Sequence, residues 1–399
     1  MLTEKRRSPF SRRSFLQVSA AASAAATLRI LSEPMLAAET RKRVAKVIPA
    51  GAVVIDQNEN PLGPCQTARD AMTAIIPRGG RYAYGLTEEL IATFAKHEGL
   101  STDQVVTFPG SSNPLHCSVL AFTSSQKSYV TADPGYEAGM FASEVSGARI
   151  VKVPLTKTYE HDVKAMLAAA PDAGLFYVCS PNNPTGTLTS HSDIEYLIEK
   201  KPTGSIVMVD EAYIHFSDGV TALDLVKAGK DVVVLRTFSK LYGMAGLRCG
   251  FAIGRPDLTE KIANFGGSGF MPVTAVVAAT ASLNDSQVVA ERKRINAAIR
   301  QETFQWLDRN GYVYTPSQSN CFLLETKRPG KEVIAAMAAQ NVFIGRIWPV
   351  WPTQVRITVG THEEMAKFQE SFQKVMTAAK AFAVPAGTPF RGPERYRIS

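Results

Sequence analysis

An α/β fold is predicted by three features of this sequence. Between about residues 100 and 255, apolar runs alternate with amphipathic stretches. Several runs are apolar almost throughout, as in parallel strands covered on both faces. Three of them stop at polar segments rich in Asn, Asp, Ser and Lys. In order, residues 104–108, 127–131 and 148–153 form short β-like runs. Residues 175–179, 206–209, 232–235 and 249–253 are the nearly continuous ones. Residues 88–97 and 192–200 have helical spacing between such runs. After about residue 285 the texture becomes α+β. A long charged helix is expected over 287–310, strands over 321–325 and 354–359, and helices over 332–340 and 363–382. Residues 384–399, rich in Pro, Gly and Arg, read as an extended tail.

Composition narrows the function. Of 399 residues, 45% are hydrophobic and 20% charged, which excludes a disordered chain. The net charge of +8 points to polyanions only until it is located. Ten of the 44 Lys and Arg, but three of the 36 Asp and Glu, lie in residues 1–46. The remainder is close to neutral, so no nucleic-acid partner is expected. Ser11-Arg12-Arg13-Ser14-Phe15-Leu16-Gln17 resembles a twin-arginine export signal. An Ala-rich run from Val18 to about Leu31 follows, interrupted by Arg29 and too weakly apolar for a stable membrane span. Export by the Tat machinery, which carries folded proteins, to the periplasm is expected. Cys65, Cys117, Cys179, Cys249 and Cys321 lack metal-like spacing and read as small buried residues; no metal site is expected.

The polar ends of the buried runs carry the chemistry. Residues 175–179 lead into Ser180-Pro181-Asn182-Asn183-Pro184-Thr185-Gly186, whose Pro and Gly force a turn. Residues 206–209 lead into Asp210-Glu211-Ala212-Tyr213, and 232–235 into Arg236-Thr237-Phe238-Ser239-Lys240. Ligands of open α/β sheets bind at the carboxyl ends of the strands. An Asp and a Lys there suggest pyridoxal phosphate (PLP). That cofactor needs an amine for a Schiff base and an acid on its pyridine nitrogen. Thr237, Ser239 and Arg248 flank Lys240, and Gly110-Ser111-Ser112-Asn113-Pro114 offers a second anion cradle.

These pieces, with Asn58-Glu59-Asn60-Pro61-Leu62-Gly63, Arg81-Tyr82, Ala245-Gly246-Leu247-Arg248-Cys249-Gly250 and Arg356-Ile357-Thr358-Val359-Gly360, occur in the order seen in one enzyme family. Over roughly residues 50–375 the chain resembles the fold-type I, class I/II PLP-dependent aminotransferases, most nearly the histidinol-phosphate aminotransferase family. The resemblance implies a three-layer α/β/α large domain with a mostly parallel sheet (75–280) and a smaller α+β domain (45–74 and 281–382). A signal peptide (1–38) would precede them and an extended tail (383–399) follow. It implies that Lys240 binds the cofactor and shuttles the proton. Asp210 would face the pyridine nitrogen, Asn183 and Tyr213 the phenolic oxygen, and Tyr136 would stack on the ring. Ser111, Ser112, Thr237, Ser239 and Arg248 would hold the phosphate, with Tyr82 reaching in from a second subunit of a homodimer. Arg356 would grip the donor's α-carboxylate, near Asn60 and Asn320.

The resemblance further implies a ping-pong reaction from an L-amino acid or amino-alcohol phosphate to a 2-oxo acid. Arg346 matches the arginine that relatives use on a distal phosphate. Its neighbours Ile347-Trp348-Pro349-Val350-Trp351-Pro352 form a more apolar wall than the usual polar loop, or simple packing. An exported enzyme would rarely meet cytosolic histidinol phosphate, so an aromatic or other bulky L-amino acid is the expected donor. The other reading keeps the cofactor and changes the reaction: an amino-acid decarboxylase of the threonine-phosphate type, or an oxidative or cyclising enzyme.

Overall fold

The structure, a computed structural model, describes residues 48–266 and 270–377. The expected signal segment and the extended tail lie outside the described residues. In chain order the main elements are β1 (Val53–Ile55), α1 (Gln66–Ile75), α2 (Tyr84–Glu98), β2 (Val105–Phe108), α3 (Ser112–Phe122) and β3 (Ser128–Asp133). Then come α4 (Ala138–Ser146), β4 (Ile150–Pro154), α5 (Val163–Ala169), β5 (Ala173–Cys179), α6 (His191–Lys200) and β6 (Ile206–Asp210). They are followed by α7 (Leu223–Lys227), β7 (Val232–Thr237), β8 (Gly250–Gly254), α8 (Pro256–Ala263), α9 (Val273–Asn284) and α10 (Val288–Arg309). The last are β9 (Cys321–Glu325), α11 (Gly330–Ala338), β10 (Val342–Ile344), β11 (Gln354–Thr358) and α12 (His362–Thr377).

Seven strands form one sheet in the order β2-β8-β7-β6-β5-β3-β4. Strands β7, β6, β5, β3 and β4 are mutually parallel, and β8 runs antiparallel to both β2 and β7. The continuous apolar runs are explained by their place: every residue of β5, β6, β7 and β8 is buried. Helices cover both faces of such a sheet, so alternation has no solvent side to mark.

Residues Val53 to Ile55 pair in parallel with Val342 to Ile344, and β11 pairs antiparallel with β9. These four strands share a smaller core with α10, α11 and α12. In α12 the buried residues Met365, Phe368, Phe372 and Val375 follow one helical face, each large side chain contributing about 1.5–3 kcal/mol of burial. Thr361 and Glu364 close its start reciprocally: Glu364 N–H donates to Thr361 Oγ1 (3.2 Å) and Thr361 N–H to Glu364 Oε2 (2.8 Å). Helix α1 differs from the sequence reading, which placed 45–74 with the smaller domain. Ala68 sits in the larger core and α1 packs on α9. Among the described residues no helix is long and apolar enough to cross a membrane.

Candidate active site

The register of the large sheet aligns the three polar strand ends. Cys179 lies beside Asp210, and Asp210 beside Leu235. The segments that begin at Ser180, Glu211 and Arg236 therefore leave the sheet at one level, and their side chains converge there.

Asp210 is buried, and its carboxylate accepts the Tyr177 hydroxyl (2.8 Å) and the Ala212 N–H (3.1 Å). Burial raises its pKa to about 6 despite those two donors and the nearby Lys240. Lys240 is half-buried. Its Nζ donates to Gln57 O (3.3 Å) and lies 5.6 Å from the Tyr213 ring centre. Desolvation first, then the Arg356 charge, lowers its pKa to about 8. A carboxylate that ionises near neutrality and an amine that sheds its proton readily thus share one cleft.

The Tyr213 hydroxyl accepts Asn58 Nδ2 (3.0 Å), and burial raises its pKa. Arg356 is buried. It donates from Nη1 to Asn183 Oδ1 (2.8 Å) and from Nη2 to Asp56 O (2.6 Å), while its Nε has no hydrogen-bond partner among the described residues. A buried guanidinium with a donor to spare suits a small carboxylate.

A cradle for a phosphate lies at the start of α3. Arg248 donates to Ser239 Oγ (3.3 Å), Ala245 O (3.0 Å) and Pro109 O (3.0 Å), and Thr237 Oγ1 donates to Ser239 Oγ (3.0 Å). Gly110 has φ +83°, and a Cβ there would fall 2.0 Å from Arg248 Nη2. No other residue lets Arg248 lie so close to the loop. The Ser111 side chain makes no capping bond, which leaves backbone N–H groups at the start of α3 to an anion. Ser112 Oγ instead meets the Tyr136 hydroxyl at 2.9 Å. Hydroxyls, an arginine and free helix N–H groups fit a phosphate monoester. An amine and a carboxylate beside them fit the rest of PLP.

The structure gathers Asn183, Asp210, Tyr213, Thr237, Ser239, Lys240, Arg248, Ser111, Ser112, Tyr136 and Arg356 around this cleft. Asn60 and Asn320 are different. Asn60 Nδ2 donates to Leu241 O (2.8 Å), and Asn320 Nδ2 donates to Asn58 O (3.1 Å), so both amides bind backbone. Tyr82 is 72% exposed and packs on Tyr84 and Phe270. Arg346 is paired with Glu137 and lies over Trp348. Trp348 Nε1 donates to Gly135 O (3.0 Å), and Arg356 lies over the same ring.

Tyr177, Asn58 and Glu137 were not assigned to the site from sequence, whereas Trp348 belonged to the apolar wall expected beside Arg346. Tyr177 is one aromatic within an apolar strand, and only the register shows its neighbour Asp210. Asn58 stands in a quoted motif, has a φ of +54°, and donates from Nδ2 to the Tyr213 hydroxyl. Behind the site, buried Arg236 donates to Glu211 Oε2 (2.7 Å) and to Thr221 Oγ1 (2.9 Å), and fixes the strand ends. Cys117, Cys179, Cys249 and Cys321 are buried, Cys65 is half-buried, and all five are free thiols. No metal-binding cluster occurs among the described residues.

Comparison with known proteins gives independent findings. Residues 51–372 match the family model for aminotransferase class I and II, and residues 9–28 match that for the twin-arginine translocation pathway signal sequence. An aromatic amino acid aminotransferase from Cutibacterium acnes is 32% identical over 329 residues, 82% of this chain and 93% of that protein. A histidinol-phosphate aminotransferase from Moorella thermoacetica is 30% identical over 334 residues, 81% of this chain and 85% of that protein. The crystal structure of histidinol-phosphate aminotransferase from Sinorhizobium meliloti in complex with pyridoxal-5'-phosphate superposes with a TM-score of 0.76. It is 23% identical and covers 82% of this chain and 92% of that one.

Proposed function

The chain belongs to the class I and II aminotransferases, and on that premise we propose that its amino donor is an aromatic or other bulky L-amino acid. It is a PLP-dependent aminotransferase of the histidinol-phosphate aminotransferase type, with the fold of the fold-type I enzymes. When bound, the cofactor supplies an electrophilic carbonyl and an electron sink. Every other role falls to the chain. The Lys240 amine would hold the cofactor and move the proton at the donor's α-carbon. Asp210, oriented by Tyr177 and Ala212, would serve the ring nitrogen as a carboxylate. Asn183 and Tyr213 would bind the phenolic oxygen, and Tyr136 would pack against the ring. Thr237, Ser239, Arg248, Ser111 and Ser112 would hold the phosphate. Arg356 would orient the donor carboxylate, with Asn60 and Asn320 fixing nearby backbone. A 2-oxo acid is the acceptor in the second half of a ping-pong cycle.

The observation that carries the donor assignment is Trp348. Its ring is 2% exposed, tied to Gly135 and flanked by the Arg356 guanidinium at 5.7 Å. Being buried, it backs both guanidiniums with an apolar surface where a polar loop would otherwise stand. The export signal favours the same reading, because an exported enzyme would rarely meet histidinol phosphate. The periplasm is the proposed destination. A homodimer is proposed too, since exposed Tyr82, Tyr84 and Phe270 form one aromatic cluster outside their own chain's cleft.

The test is a half-reaction screen of mature holoenzyme, following the bound-cofactor absorbance and identifying the keto product. Aromatic donors are expected to react fastest, and Lys240→Ala not at all. Far faster conversion of histidinol phosphate than of any free amino acid overturns the donor assignment. A decarboxylated product would favour the other chemistry of this fold.

A further inference from the structure

We propose that Glu137 is a specificity-determining residue: by neutralising Arg346 it leaves the Trp348 corner one uncompensated guanidinium, Arg356, matched to a carboxylate rather than a phosphate. The inference rests on the reading of Arg356 as the donor's anchor. Two guanidiniums approach the same indole, Arg346 at 4.6 Å and Arg356 at 5.7 Å from the Trp348 ring centre. The indole is fixed by its bond to Gly135 O, two residues before Glu137. Glu137 stands at the start of α4, next to Tyr136, and its carboxylate forms an ion pair with Arg346 Nη2. Both charges are felt at Arg356: among the influences on that guanidinium are Arg346, which disfavours its charge, and Glu137, which favours it. The four side chains thus form one electrostatic unit.

The charge count decides what that unit accepts. Two arginines and one glutamate leave a single net positive charge. An L-amino acid presents one carboxylate. A phosphate monoester carries close to two negative charges at neutral pH, and it would need both guanidiniums while meeting the Glu137 carboxylate as a like charge. Pairing also immobilises Arg346 against Trp348, so its fork is not free to turn toward a second anion. Glu137 therefore selects for donors recognised by one carboxylate and against amino-alcohol phosphates.

The test uses holoenzyme of the wild type, Glu137→Gln, and Glu137→Gln combined with Arg346→Met. Two probes are compared, L-phenylalanine and L-histidinol phosphate, by single-turnover loss of the bound-cofactor absorbance. Binding of inorganic phosphate to the same holoenzymes is measured by calorimetry. Glu137→Gln is expected to raise the kcat/KM ratio of histidinol phosphate to phenylalanine about tenfold or more, and to tighten phosphate binding several-fold. The double variant, with the freed arginine removed, is expected to return both quantities to near the wild-type values. An unchanged ratio and unchanged phosphate binding in Glu137→Gln overturn the proposal. If Glu137→Gln fails to fold, the double variant decides alone: a ratio tenfold below wild type would mean that Arg346 already serves phosphate in the native enzyme. The donor screen is separate, because a preference for some other L-amino acid sinks the aromatic assignment and leaves the Glu137 effect intact.

Discussion

Replacing Asp210 with Asn should make the cofactor-free protein more stable while destroying its catalysis. The carboxylate is 4% exposed, and burial raises its pKa from the ordinary 3.8 to about 6. The sign follows from proton binding. Between pH 3.8 and about 6 the folded state holds a proton that the unfolded state has lost, so stability falls as pH rises through that window. Above it the full penalty applies, about 3 kcal/mol at 1.4 kcal/mol per unit. Asn carries no such penalty. Its oxygen can still accept the Ala212 N–H, but its amide can only donate to the Tyr177 hydroxyl, whose own proton then loses its acceptor at a cost of about 1 kcal/mol. Urea unfolding of cofactor-free protein should thus show Asp210→Asn ahead by about 2 kcal/mol at pH 7.5 and level with wild type at pH 4.5. Turnover of the reconstituted variant should fall on the order of a hundredfold or more, since a fixed countercharge is lost. A variant less stable than wild type at pH 7.5, or a gap independent of pH, would refute the reasoning.

Three further outcomes follow from the site. Capture of PLP by cofactor-free enzyme should accelerate as pH rises through about 8, the value to which burial and Arg356 bring Lys240, because only the neutral amine attacks a carbonyl; stopped-flow absorbance reads this directly. Arg356→Gln should shift that profile to higher pH by removing the second-largest cause of the lowered value. It should also cut kcat/KM for amino acids on the order of a hundredfold, the loss of a charge-assisted hydrogen bond to a carboxylate. Gly110→Ala should weaken cofactor retention by about tenfold or more, since its Cβ would displace the Arg248 guanidinium; equilibrium dialysis against free PLP measures it.

Much of this arrangement was legible in the sequence for a specific reason. Strands β5, β6 and β7 are buried on both faces, so each had to be apolar until the point where it stopped. The first polar residues after each run were then the ones with a task. What was hidden depended on long-range pairing. Val53–Ile55 and Val342–Ile344 are three-residue strands with too few positions to display a period. Strand β2 sits beside β8 rather than β3, which nothing in its four residues announces. Tyr177 looked like core because its hydroxyl partner is 33 residues away. Glu137 meets Arg346 only across 209 positions, a pairing no local pattern displays. Asn60 and Asn320 were expected near the donor carboxylate from the resemblance alone, and the structure shows the Nδ2 of each donating to a backbone carbonyl.

The corner proposed to bind the donor joins segments far apart in the sequence. Arg356 donates to the carbonyl of Asp56, and the Asn58 N–H donates to Thr358 Oγ1 at 2.9 Å, each across 300 positions. A ribosome making this protein completes the lysine, the aspartate and the phosphate cradle well before the residues that seat an amino acid emerge. Assembly of this corner waits until β11 meets the segment that follows β1, and a secretion route that accepts folded molecules spares the cell from repeating it outside.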